Sequence, residues 1–306
     1  MTSVRFNADT SACGVRVKFI HMDMATIEVA FSGPVEGAPV LALHGGMGGW
    51  DQSLILAQAL FGEGSVRRLL AVSRPGYLGT ALEAGRGPAA EADLYAALLD
   101  HLGIERAAVI AVSAGGPAAL AFAHRYPERV AALVLVSCCT GTLVPPRAVS
   151  LMLPLMRLAA RSALVNRMLK RRLGDPVEAA RRSIRDPDVL ARTLADPDAS
   201  RLMALLNRSV SDRMAERLPG TIADTRCFAA QAEIAVKSLK APTLVIHGTA
   251  DRVVPFEHGS RVAEQAPSGE LMAVEGGEHV ALFTALDHVR SRVAVFLAAN
   301  EKPASG

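Results

Sequence analysis

The hexapeptide Ala111-Val112-Ser113-Ala114-Gly115-Gly116 joins a predicted strand to a predicted helix. The residues that lead into it, 106–112, are mostly apolar and rich in β-branched side chains, which is typical of a short buried strand. The residues that follow, 117–125, are rich in alanine and predict a helix. Small residues on both sides of Ser113 allow a tight turn with strained backbone angles. Such a turn exposes the serine hydroxyl and places the next backbone N–H groups at a helix N-terminus, where they stabilise negative charge.

The composition limits the kind of protein this can be. The chain has 306 residues, half of them hydrophobic, which suits one large α/β domain or a core with an insertion. Its 33 Lys and Arg nearly balance 30 Asp and Glu, and no basic tract is present, so we expect no nucleic acid partner. Residues 1–9 are polar and lack an apolar h-region, so we expect no secretory signal, and no run reaches the ~18 apolar residues of a membrane span. The four cysteines lack C-x-x-C spacing and predict reduced thiols in a cytoplasmic protein.

Predicted strands and helices alternate on both sides of a long middle segment. The strands are predicted at 15–20, 26–32, 39–44, 68–73, 106–112, 130–137, 242–248 and 269–274. The helices of these two parts are predicted at 51–61, 89–102, 117–125 and 280–299. Such alternation predicts parallel β-α-β units and a doubly wound sheet.

The middle segment, residues 143–237, contains no convincing strand and is rich in Ala, Leu, Met and Arg at helical spacing. Three Asp-Pro pairs begin at Asp175, Asp186 and Asp196. An aspartate that caps a helix, followed by proline in the first turn, is a strong signal for a helix start. We therefore predict a core formed by residues 1–142 and 238–306, with a helical cap inserted at 143–237.

The hexapeptide resembles the nucleophile elbow of the α/β-hydrolase family, G-x-S-x-G, with Ala111 in place of the first glycine. Three further segments resemble family motifs in the same order: H-G-G at 44–46, H-G-x-x-D at 247–251 and G-G-x-H at 276–279. The resemblance extends from residue 39 to the end of the chain. It implies the α/β-hydrolase fold, a mostly parallel doubly wound sheet with an inserted helical cap.

The resemblance also implies a set of catalytic residues. Ser113 would be the nucleophile, His279 the general base and then the general acid, and Asp251 the group that orients the histidine. The backbone N–H groups of Gly46 and Ala114 would form the oxyanion hole.

Other residues offer alternatives that the sequence leaves open. Asp224 and Glu278 are alternative acids, and Arg74 is expected to be structural, with substrate contact as the alternative. His44 is expected to be structural as well. The glycine-rich loop 44–50 lacks both G-x-G-x-x-G and G-K-[ST], which disfavours phosphate binding. No histidine–carboxylate cluster has the spacing of a metal site, so we expect neither a metal nor another cofactor.

The expected substrate is a small apolar molecule, because aromatic residues are only 4 % of the chain and the pocket would be aliphatic. Packing between helices is the alternative role for each pocket candidate. These candidates are Met47, Trp50, Met152, Met156 and Val253.

The sequence thus predicts a serine hydrolase that cleaves a small apolar ester or lactone through an acyl-enzyme. A serine at the elbow disfavours relatives that use an aspartyl ester to open epoxides or remove halide. Three alternatives share the same motifs: a hydrolase of carbon–carbon bonds in ring-fission diketones, an acyltransferase, and a slow ligand-binding receptor of the same fold.

Overall fold

An eight-stranded sheet runs through the protein, whose computed structural model describes residues 14–144, 147–160, 162, 175–230 and 234–301. The order across the sheet is β1-β2-β4-β3-β5-β6-β7-β8. β2 pairs antiparallel with β1 and β4, and all other pairings are parallel. The sequence prediction of a mostly parallel sheet is confirmed. The strands are β1 Arg16–His21, β2 Thr26–Ser32, β3 Pro39–Leu43, β4 Arg68–Val72, β5 Ala107–Val112, β6 Val130–Val136, β7 Thr243–Gly248 and β8 Gly269–Val274.

Helices cover both faces of the sheet, because successive side chains of a strand point to opposite sides. In β3, Leu41 and Leu43 belong to one apolar layer, whereas Val40 and Ala42 belong to the other. The first layer includes α2 and α3, and the second includes α1 and α11. The described helices are α1 Trp50–Phe61, α2 Pro88–His101, α3 Gly116–Arg125, α4 Arg147–Ala159, α5 Pro176–Ser183, α6 Pro187–Ala195, α7 Pro197–Ser211, α8 Met214–Ala230, α9 Glu257–Gln265, α10 Ala281–Thr284 and α11 Leu286–Asn300.

Element boundaries differ from the prediction by a residue or two, with one larger difference. The single helix predicted after residue 280, to about residue 299, is two helices, α10 and α11, because Ala285 leaves helical geometry with φ −129° and ψ 33°. All eight predicted strands are present.

Between β6 and β7, the described residues form helices and contain no strand. The last of these elements before β7 is a short 3₁₀ helix at 236–238. Each of α5, α6 and α7 begins at the proline of an Asp-Pro pair. The carboxylates of Asp175, Asp186 and Asp196 accept hydrogen bonds from two backbone N–H groups of the first turn, which confirms the predicted helix starts. Residues 145–146, 161, 163–174 and 231–233 of the predicted cap lie outside the described residues. The division into core and cap stays a prediction.

The helix α8 packs directly against the loop that follows β4. Leu78 N–H donates to Glu216 O at 3.0 Å, and Gly220 N–H donates to Gly76 O at 2.8 Å. A Cβ at Gly220 would lie 2.2 Å from the ring of Tyr77, so this position has no room for a side chain. Backbone hydrogen bonds and close packing thus fix α8 on the core.

Candidate active site

Three predicted site residues meet at the carboxyl edge of the sheet. Ser113 follows β5, Asp251 follows β7 and His279 follows β8. His279 Nε2 lies 3.1 Å from Ser113 Oγ, and His279 Nδ1 lies 2.8 Å from Asp251 Oδ2. Because a carboxylate only accepts hydrogen bonds, Nδ1 carries the proton and Nε2 is left to accept from the serine hydroxyl. The three groups therefore form one continuous chain of hydrogen bonds.

The turn at Ser113 explains the small residues around it. Ser113 has φ +52°, in the left-handed region that most residues avoid. A Cβ at Gly115 would lie 2.8 Å from the carbonyl oxygens of Leu43 and His44, and one at Gly116 would lie 2.6 Å from the carbonyl oxygen of Cys139. Backbone from the two neighbouring strands thus presses on the turn. Only glycine fits at both positions without a shift of the backbone.

The carboxylate of Asp251 is buried and saturated with hydrogen-bond donors. Oδ1 accepts from the backbone N–H groups of Val253 at 2.8 Å and Val254 at 3.0 Å. Oδ2 accepts from His279, and His247 Nε2 lies 3.4 Å away. Burial raises the pKa of Asp251, but hydrogen bonds from His247, His279 and the backbone outweigh it and hold the pKa well below its usual range. The carboxylate is therefore ionised at neutral pH.

This depressed pKa predicts how stability depends on pH. The folded protein gains stability from ionised Asp251 above the pKa of the unfolded chain, about 3.9, and loses it as the pH falls through the lower folded pKa. We expect Asp251→Asn to lower the free energy of unfolding at neutral pH, by an amount that shrinks below about pH 4. Urea unfolding across this pH range measures the difference. Asp188→Asn, at an exposed position, is the control, and a loss independent of pH would contradict the prediction.

His44 is a structural residue, as predicted. Its side chain is fully buried; Nδ1 donates to Gly45 O at 2.6 Å and Nε2 accepts from Arg74 N–H at 2.9 Å. Burial, together with the positive charge of Arg74, lowers its pKa well below the usual range, so the ring is neutral. These hydrogen bonds fix the start of the glycine-rich loop. The loop also packs closely on the serine turn, since a Cβ at Gly45 would lie 3.0 Å from Ser113 Cβ. The loop is thereby held against the serine.

A cavity of about 260 Å³ opens on Ser113 and His279. Gly46, the predicted oxyanion residue, also lines it. The remaining wall is mostly aliphatic, with polar side chains from Ser183, Gln52 and Asn207. Among the described residues of this lining, His279 is the only titratable side chain. The cavity therefore suits a neutral molecule with a largely apolar body.

None of the five predicted pocket residues, all of which the structure describes, belongs to the lining of this cavity, and their role in a substrate pocket stays a prediction. Met47 and Met156 pack instead on a separate cluster around Met214. The side chains of Met152 and Val253 are 52 % and 58 % exposed. Trp50 packs against the cluster of Val15, Ala30 and Ala71. The reason is that α1, α5 and α7 supply the wall, whereas the prediction assigned it to α4 and to the residues next to the loop.

A buried ionic network that the sequence did not predict is centred on Arg74. The guanidinium of Arg74 donates to Glu91 at 3.0 and 3.1 Å and to Asp224 at 2.9 Å twice, and Tyr77 donates to Asp224 at 2.6 Å. Arg74 is thus structural, as expected. Asp224 is engaged in this network, and Glu278 accepts from Arg185 N–H at 2.7 Å. Both alternative acids are therefore held by other partners than His279.

The described residues contain no group of three His, Cys, Asp or Glu side chains that could hold a metal ion. In the same part of the chain, no helix has the length and apolar character needed to cross a membrane.

Comparison with known proteins identifies the family. The sequence model described as alpha/beta hydrolase fold matches residues 38–286. An uncharacterized hydrolase of Bacillus subtilis, YcgS, is 40 % identical over 132 residues, which cover 43 % of this chain and 45 % of the relative. A 2-hydroxy-6-oxononadienedioate/2-hydroxy-6-oxononatrienedioate hydrolase of Burkholderia vietnamiensis is 32 % identical over 185 residues, which cover 59 % and 58 %. The chain spans about half the length of these curated relatives.

A solved structure agrees with this assignment. The alpha/beta hydrolase fold protein from Nakamurella multipartita superposes with a TM-score of 0.81 at 32 % identity, over 94 % of this chain and 100 % of the other. The family match, the eight-stranded sheet and the serine turn at the end of β5 lead to one conclusion: the chain belongs to the α/β hydrolase fold family.

Proposed function

We propose that the protein is a serine hydrolase that cleaves a small neutral ester or lactone through an acyl-enzyme. The observation that carries the proposal is the chain of hydrogen bonds from Ser113 through His279 to Asp251. Serine is a weak nucleophile at neutral pH unless a neighbouring base accepts its proton. His279 Nε2 is placed to do so, and the ionised Asp251 stabilises the imidazolium that forms.

The mechanism follows from this arrangement. Ser113 Oγ attacks the carbonyl carbon while His279 accepts its proton, and His279 then returns the proton to the leaving alcohol. Water then attacks the acyl carbon while His279 accepts its proton, and His279 returns this proton to Ser113 Oγ as the carboxylic acid leaves. The backbone N–H groups of Gly46 and Ala114 would hold the oxyanion, each contributing about 3 kcal/mol. The close packing of the 44–46 loop on the serine turn supports this role.

The cavity favours a neutral substrate over a carboxylate. The Burkholderia vietnamiensis relative is named for a dicarboxylate substrate, which makes a hydrolase of carbon–carbon bonds the second candidate. A carboxylate removed from water needs a cation or several donors as partners. The described lining of the cavity includes neither Lys nor Arg. We therefore favour an ester or lactone.

We also propose that residues 143–237 act as a cap over this cavity. Ser113 and His279 come from loops at the edge of the sheet, whereas Ser183 in α5 and Asn207 in α7 come from the inserted helices. Side chains of the two parts line the same space. Substrate specificity would therefore depend on the inserted helices.

Covalent labelling together with substrate comparison tests the function. The purified protein is treated with a fluorophosphonate, and the adduct is located by mass spectrometry. We expect one adduct, on Ser113, and turnover of neutral esters or lactones with kcat/KM more than about a hundredfold above that for a ring-fission dienedioate. Preference for the dienedioate would favour the second candidate. A folded protein that neither reacts with the probe nor hydrolyses any of these substrates would contradict both.

A further inference from the structure

The amide of Gln52 is fixed in one orientation at the wall of the cavity. Its Nε2 lies 3.0 Å from Met47 O and 2.9 Å from Ser209 Oγ. A carbonyl oxygen can only accept, so the contact with Met47 needs a donor. Ser209 already donates its own proton to Leu206 O at 2.6 Å, so it too must accept from Gln52. Both contacts therefore require the amide nitrogen, and the oxygen is the atom that remains.

This leaves one acceptor of the Gln52 side chain without a protein donor. The side chain of Gln52 lines the cavity and the residue is only 6 % exposed. Both amide protons are engaged, whereas Oε1 receives no hydrogen bond from the described part of the chain. An unpartnered acceptor at the wall of a cavity is available to water or to a donor group of a ligand. In this orientation, Gln52 Oε1 can accept a hydrogen bond from an O–H or N–H group of a molecule in the cavity.

Asn207 adds a second polar group to the same wall. It lies on α7, the helix that also carries Ser209, and its amide makes no hydrogen bond to another described residue. Its neighbours in the lining, Leu206 and Val210, are apolar, as is Ile55 on the facing helix α1. A few polar groups set in an apolar wall are what orient a ligand in a small-molecule site.

We propose that Gln52 and Asn207 form a specificity subsite that binds a hydroxyl or N–H group of the substrate. The preferred ester or lactone then carries such a group and is not a plain alkyl compound. This inference rests on the proposed function, because the subsite belongs to the cavity that opens on Ser113. A substrate donor satisfies Gln52 Oε1, whereas an analogue with a methyl group at that position buries the oxygen unpaired.

Matched pairs of substrates test the inference. Ethyl esters with a hydroxyl at successive carbons of the acyl chain, and hydroxyalkyl esters of an unsubstituted acid, are each compared with the analogue in which methyl replaces hydroxyl. Acid release gives kcat/KM for both members of each pair. For the best-placed hydroxyl we expect wild type to prefer the hydroxylated ester by roughly tenfold to a hundredfold.

Variants then assign the preference to the subsite. We expect the ratio within the best pair to fall to about one in Gln52→Met and to decrease in Asn207→Leu. Gln58→Met makes the same chemical change on α1, outside the cavity lining, and should keep the wild-type ratio. Because both esters are measured on one preparation, partial loss of folded protein cancels from the ratio. Asn207→Leu tests the subsite even if Gln52→Met does not fold.

The outcomes separate this inference from the proposed function. If wild type hydrolyses every hydroxylated ester and its methyl analogue equally well, the subsite is disproved and the esterase function stands. Retention of the wild-type ratio in both subsite variants would overturn the inference as well. If no ester of any pair is hydrolysed and Ser113 does not react with the fluorophosphonate, the proposed function fails and the subsite fails with it.

Discussion

Ser113→Ala is expected to lower kcat by about 10⁴- to 10⁶-fold while the fold stays intact. The serine oxygen is the atom that attacks the substrate, and it lies 3.1 Å from the base that accepts its proton. Alanine keeps the Cβ, so the packing of the turn against Gly45 is preserved. The loss should appear in kcat with little change in KM, because the hydroxyl contributes mainly to the chemical step.

The chain offers a matched control for this substitution. Ser137 follows the neighbouring strand β6 and also has a positive φ, +46°, but its side chain is buried and its Oγ has no described partner. We expect Ser137→Ala to keep kcat within about twofold, since no hydrogen bond is lost. Steady-state kinetics and a urea unfolding curve of each variant make the comparison. Residual kcat above about one per cent in folded Ser113→Ala would show that Ser113 is not the nucleophile.

The parts of the site that follow strand ends could be predicted from the sequence. Ser113, Asp251 and His279 each lie in a short segment with glycine that follows a predicted strand, and the resemblance of these segments to family motifs, in the same chain order, singles them out. The sheet itself was predicted from local pattern. Buried parallel strands produce apolar runs that stand out between helices.

The cavity wall could not be predicted, because it depends on which helix faces the serine. Both α4 and α7 have apolar residues at helical spacing, and this pattern does not specify the partner surface. Met152 on α4 is half exposed, whereas Leu206 on α7 lines the cavity. The ionic network could not be predicted from the sequence for a related reason. Arg74 and Asp224 are 150 residues apart, and no local signal links them.

That network supports the second prediction, which concerns stability. The side chain of Arg74 is 2 % exposed and lies between two carboxylates, Glu91 on α2 and Asp224 on α8. Burial raises the pKa of Glu91, against the attraction of Arg74, which favours its charged form. Removal of Arg74 would leave the buried carboxylate of Glu91 and the partly buried carboxylate of Asp224 without their cation. Such a change is among the most destabilising that a single substitution can make.

We expect Arg74→Met to lower the free energy of unfolding by about 3–5 kcal/mol at neutral pH, as measured by urea unfolding. The loss should shrink in mildly acidic solution, where the stranded carboxylates take up protons. Adding Asp224→Asn to this variant should restore part of the stability, because one buried charge is then removed.

Arg86→Met is the matched control, since Arg86 pairs with Glu83 at the surface, where both side chains are about 70 % exposed. Exposed pairs contribute little, so we expect the unfolding midpoint of Arg86→Met to stay close to that of wild type. If Arg74→Met were no more costly than this control, the buried ionic network would not contribute to stability. A large loss that Asp224→Asn does not relieve would indicate that the packing of the Arg74 side chain, and not its charge, provides the stability. Comparison of Arg74→Met with the double variant that also carries Asp224→Asn thus separates the electrostatic from the steric contribution of Arg74 to stability.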